Sequence, residues 1–71
     1  MIRIECETGG SVWKLMVTAG DQVAAGDILF ILEVMKMEVP YEAPVAGEIT
    51  AVHIAEGEAV EEDQLAIEIK E

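Results

Sequence analysis

The chain has 71 residues, 52% of them hydrophobic, and fifteen acids against four bases leave it a formal net charge of −11. That length holds one small domain with a thin stability margin, and the charge argues against nucleic acid and against anionic membranes, both of which are bound through Lys and Arg. Cys6 and His53, the only residues of their kinds, exclude an internal disulfide and a metal cage of cysteines. No run approaches the ~18 apolar residues that span a bilayer, and Met1 to Glu5 lacks the apolar core of a secretory signal, so a reducing cytosol is the expected setting.

In chain order, the first turn signal is Gly9-Gly10. Val12, Leu15 and Val17 follow, stepping by three and then by two. A regular strand steps by two throughout, so the extra residue predicts a β-bulge, with the bending and twist that a small barrel needs. Trp13 in this stretch reads as a packing residue at a strand edge. Gly20-Asp21 and Gly26-Asp27 mark two more turns. From Ile28 to Glu33 the period is two, which predicts a strand with Ile28, Phe30 and Leu32 inward. Leu29 and Ile31 then lie on the outer face, under a neighbouring segment or as a partner surface.

Met37 to Ala43 reads as the next strand, and Ala43-Pro44 with Gly47 as a turn. Ile49, Val52 and Ile54 repeat the step of three and two, and place His53 outward. The Ala55–Ala66 stretch has a helix-like composition, but it matches an earlier stretch of turns and so reads as a glutamate-rich loop with a short strand. Leu65, Ile67 and Ile69 close the chain as a half-buried strand.

A shift of 37 residues aligns the two halves. Gly10 falls on Gly47, Val12 on Ile49, Leu15 on Val52, Val17 on Ile54, Gly20 on Gly57, Val23 on Val60, Phe30 on Ile67 and Leu32 on Ile69. Residues 1–71 thus form one domain, with half-repeats at about 10–33 and 47–70 related by a pseudo-twofold axis. The bulges, turns and short strands predict an all-β flattened barrel or sandwich, and barrel closure, which removes sheet edges, predicts a monomer.

The segment joining the repeats breaks local rules. Glu33-Val34-Met35-Lys36-Met37-Glu38 has no Gly, Asn, Asp or Pro at its centre. A hairpin over 34–39 turns at Met35-Lys36, where two-residue turns want positive φ and usually take Asn-Gly. Such conflict between propensity and fold marks a candidate functional site. Lys36, one of three lysines, would stand clear of the body between two flexible thioethers, a suitable place for modification by another protein. A solvated lysine at a loop tip is the plain alternative. Met35 and Met37 have no third soft ligand nearby, so no metal site is expected. Cys6 is expected to be inert.

Glu33-Val34-Met35-Lys36-Met37-Glu38 resembles the attachment motif of biotinyl domains, in which a Met-Lys-Met triplet carries the acceptor lysine. Ala19 to Leu29, Ala43 to Ile49 and Glu56 to Val60 are similar to the family's stretches before and after that hairpin, and Val12-Trp13-Lys14 is similar to a segment of its short stand-alone biotin/lipoyl attachment proteins. The resemblance covers essentially the whole chain. It implies two four-stranded antiparallel sheets with quasi-twofold symmetry and the lysine on a hairpin at one end. It further implies a carrier rather than an enzyme: biotin is joined to Lys36 by biotin protein ligase, then shuttles a carboxyl group from biotin carboxylase to a carboxyltransferase. Met35 and Met37 would shape those contacts, with Glu33, Val34 and Glu38 at the motif's periphery. Val34 stands where the family most often has Ala, and no thumb-like insertion interrupts Val12 to Asp27. A complete small protein and a domain of a larger carboxylase both fit. The alternatives are a lipoyl or dual biotin/lipoyl carrier, and an unmodified acidic interaction module of the same fold; the paired methionines favour biotin over lipoate.

Overall fold

The alternating apolar residues become eight strands in the computed structural model, which describes residues 1–71. They are β1 (Ile2–Glu5), β2 (Gly10–Leu15), β3 (Gln22–Val23), β4 (Ile28–Val34), β5 (Met37–Glu42), β6 (Gly47–Val52), β7 (Ala59–Val60) and β8 (Leu65–Lys70). Two four-stranded antiparallel sheets form, in the orders β1-β8-β6-β3 and β5-β4-β2-β7. They face each other across a core of aliphatic side chains with Phe30 and Tyr41, whose rings stack at 4.5 Å. The long axis measures 32 Å and the other two 18 and 17 Å.

The backbone obeys the 37-residue shift bond by bond. Gly20 donates to the Ile49 carbonyl, and Gly57 to the Val12 carbonyl. Ala43 donates to the Asp27 carbonyl, and Cys6 to that of Gln64. Ile31 pairs with Pro40 as Glu68 pairs with Arg3, so the symmetry reaches beyond the half-repeats to β5 and β1.

Both copies carry the bulge that their apolar spacing predicts. The β2–β4 register slips at Trp13, and the β6–β8 register slips at Thr50. A second pair of bulges was not legible in the spacing. Opposite β5, β4 has one residue extra at Leu29; opposite β1, β8 has one extra at Ala66. Two consecutive side chains therefore turn inward in each strand, Leu29 with Phe30 and Ala66 with Ile67, all fully buried. This reverses the expected facing in both strands: Leu29 and Ala66 lie in the core, while Ile28 is 42% exposed and Leu65 is only half-buried. Ile31 does face outward, half-buried between the inward Phe30 and Leu32.

Two further expectations need correction. The sheets do not close, because β1, β3, β5 and β7 remain as edges. These edges are blunted instead: β3 and β7 have two residues each, and Pro40 interrupts the donors of β5. Trp13 lies at a bulge of β2, an inner strand rather than an edge, and is 45% exposed with the Lys14 ammonium 5.5 Å from its ring.

Gly10 and Gly47 begin equivalent strands where another backbone passes close by. A Cβ on Gly10 would lie 2.7 Å from the Glu33 carbonyl oxygen, and one on Gly47 would collide with the Lys70 carbonyl. Gly47→Ala is expected to destabilise the fold by about 1–3 kcal/mol, read as a lower midpoint in urea unfolding. Burial pushes the Cys6 thiol and, with weaker coulombic help from Cys6 and Glu7, the Tyr41 phenol above their ordinary ranges. As pH rises past the ordinary thiol value, about 8.5, the unfolded chain loses protons that the folded chain keeps, so stability falls. The urea midpoint is therefore expected to drop between about pH 8.5 and 10.5, and to drop less in Cys6→Ala.

Candidate functional site

β4 carries the site because it is held on both flanks. It pairs with β2 from Leu15↔Phe30 to Ser11↔Glu33, and with β5 from Ile28↔Glu42 to Val34↔Met37. Leu29, Phe30 and Leu32 are fully buried, so the strand cannot slide without withdrawing its anchors. Val34, half-buried against the core, sits beside Gly10 and anchors the base of the hairpin. A side chain as small as Ala there would leave much of that contact empty, which gives this chain's Val34 a packing reason.

The chain then reverses in two residues. Met35 has φ 52° and Lys36 has φ 67°, the left-handed pair that a two-residue turn between twisted strands requires. Each costs about 1–2 kcal/mol for a residue with a Cβ. The register on both sides of the turn holds it there, so the strain is a property of the mount rather than of a loose loop.

Met35 is 91% exposed, Met37 is 67% exposed, and Lys36 between them is exposed too. The one side-chain contact of salt-bridge length joins His53 to Glu68 at 2.9 Å, so the Lys36 amine has no carboxylate within 4.0 Å. Glu33 and Glu38 face each other across the base of the hairpin, both exposed, two like charges next to the turn. The site therefore comprises one unencumbered amine, two polarisable apolar side chains that can adapt to a visitor, and two acids behind them. No group of three His, Cys, Asp or Glu residues could hold a metal. All six predicted residues, Glu33, Val34, Met35, Lys36, Met37 and Glu38, fall in this one hairpin.

His53 is outside it. Its Nε2 meets the Glu68 carboxylate on the outer face of the other sheet. Cys6 is buried. Two polar supports were not legible in sequence: the Tyr41 hydroxyl accepts from the Glu7 amide at 2.9 Å, and the Glu56 carboxylate accepts from the Leu15 amide at 3.0 Å. Both join positions 34 or more residues apart, so no local pattern announces them. For the turn itself, Met35→Asn is expected to raise stability by about 1 kcal/mol, because Asn accepts the left-handed conformation; urea unfolding measures it, and an unchanged or lower midpoint would show that the turn is not strained.

The family model for "biotin-requiring enzyme" matches residues 4–69. The chain is 39% identical over 62 residues to the biotinylated protein TB7.3 homolog of Mycobacterium leprae, covering 87% of each. It is 38% identical over 66 residues to the biotin/lipoyl attachment protein of Bacillus subtilis, covering 93% of this chain and 90% of that one. Among solved structures, the urea carboxylase of Kluyveromyces lactis contains a region that superposes with a TM-score of 0.88 at 32% identity; 97% of this chain matches 6% of that one. With two matching four-stranded sheets and relatives of its own length, the chain belongs to the biotin/lipoyl attachment family.

Proposed function

We propose that this chain is a biotin carboxyl carrier and that Lys36 is its point of attachment. The observation that carries this reading is the Lys36 amine, unpaired and exposed on a strained but registered turn between two exposed methionines. Similarity to a biotinylated protein over most of both lengths supports biotin, and similarity to a segment of urea carboxylase supports a role beside carboxylase components.

The residues present fit an amide-linked group. An acyl transfer to Lys36 Nζ needs an amine that can enter another enzyme's active site, and the turn holds this one away from every acid. Once bound as an amide, biotin would supply the ureido nitrogen that carries a carboxyl group between a biotin carboxylase and a carboxyltransferase. The chain's own part is mechanical. β4 and β5 fix where the arm is rooted, and Val34 stops the hairpin from rocking. The arm's few bonds then define a small search volume, which raises the local concentration at each active site. Acylation also removes the Lys36 charge, leaving the hairpin with only Glu33 and Glu38 charged.

The test is co-expression with a biotin protein ligase, followed by intact-mass measurement and streptavidin gel shift. One biotin per chain is expected, with complete loss of labelling in Lys36→Arg while Lys14→Arg and Lys70→Arg label normally. A label that persists in Lys36→Arg would move the site. A lipoyl mass on the chain isolated from its native host would replace biotin by lipoate.

A further inference from the structure

The internal symmetry supplies a control for every surface residue, and one comparison stands out. The 37-residue shift places Met16 on His53 and Ile31 on Glu68. In the second copy these positions hold a polar pair, His53 Nε2 meeting the Glu68 carboxylate at 2.9 Å, with Arg3 opposite Glu68 on β1. In the first copy the same two backbone positions hold Met16, 57% exposed, and a half-buried Ile31. Pro40 stands opposite Ile31, where the other sheet has Arg3. Ile28, turned outward by the β4 bulge, borders the same shallow depression as Met16. These equivalent positions are thus polar on one sheet and apolar on the other, which carries the Lys36 turn. Folding does not demand this difference, since the same backbone is built with either set.

The rim of the apolar face is acidic. Asp21 and Asp27 border the depression. Glu42 pairs with Ile28, and the Glu33–Glu38 row separates Ile31 from the turn. Lys14, opposite Ile31, is the only basic residue among them. A second copy of this chain would bring the same acids against these and a further charge of −11 overall, so self-association is disfavoured. The complement is a surface with an apolar centre and a rim of Lys and Arg.

Reach selects among partners of that chemistry. An enzyme that acylates Lys36 must draw the amine itself into its active site, so it has to cover the turn and the sheet beside it. An enzyme acting at the far end of the completed arm works roughly 10 Å or more further out. We infer that the outer face of the β5-β4-β2 sheet, running from the turn past Ile31 and Pro40 to Met16 and Ile28 at the start of β4, is the docking surface for the ligase that modifies Lys36, through an apolar centre and a basic rim on that enzyme. This rests on the carrier reading.

The test is the initial rate of biotin transfer by a purified biotin protein ligase, measured against the concentration of the unmodified chain. Met16→Glu with Ile31→Glu is expected to raise KM about tenfold or more while kcat stays within about twofold. Wild-type KM is expected to rise with salt, as charge complementarity requires. His53→Ala with Glu68→Ala, at the equivalent positions of the other sheet, is expected to leave KM unchanged. Met16→Ser with Ile31→Thr, which adds no charge, keeps the test valid if the double glutamate variant unfolds, and circular dichroism checks each fold. A labelled wild type whose KM is unmoved by the Met16 and Ile31 variants overturns the docking surface and leaves the carrier reading intact. A wild type that takes no biotin overturns both.

Discussion

Leu29 and Phe30 enter the core side by side because β4 has one residue more than β5 at that point. Much else depends on this local excess. It bends the strand over the core, it brings Phe30 against Tyr41 at 4.5 Å, and it sends Ile28 to the surface. The equivalent excess at Ala66 does the same for the other sheet. A chain of 71 residues has few large side chains to spend on a core, and two consecutive inward residues per long strand raise the apolar area removed from water without adding length. The four bulges are thus the means by which short strands wrap one another.

The Met35-Lys36 turn draws its rigidity from the same source. A left-handed Met-Lys pair would not persist on a free peptide; it persists here because β4 is immobilised on one side by β2 and on the other by β5. Strain and exposure coincide at Met35 and Lys36 because the fold concentrates its tolerance for an unfavourable backbone where it also presents an amine. In the carrier role proposed above, the domain supplies position and the chemistry belongs to the enzymes that meet the arm.

Much of this was legible in the residues. The step of three and two at Val12, Leu15, Val17 and at Ile49, Val52, Ile54 located two bulges, and the break between β4 and β5 falls at Met35-Lys36, the pair expected to turn with positive φ. The facing of Ile28 and Leu29 was not legible, because both are aliphatic and the run of five apolar residues from Ile28 to Leu32 has no polar marker inside it to set its phase. The Trp13 position was misjudged for a related reason: edge and inner strands differ in their partners, which are distant in sequence. Tyr41 and Glu56 act through contacts across the fold, so single-sequence pattern has nothing to say about them. Repeats helped most where the two copies agree, and the outward pair Met16 and Ile31 became meaningful only where they disagree with His53 and Glu68.

The same doubled architecture does not make the turns of the two halves identical. The Thr18 amide donates to Asp21 at 2.9 Å, whereas its counterpart at Ala55 reaches Glu58 at 3.3 Å. Ala24 donates to Asp27 at 2.8 Å, and Glu61 to Gln64 at 3.0 Å. Gly26 adopts its left-handed conformation freely, while the matching Asp63 does so with a side chain at φ 68°. In each comparison the shorter or less strained version lies in the first half, and β4, the root of the Lys36 hairpin, follows directly from it. The better-bonded turn of each pair is therefore the one that leads into the strand beneath Lys36.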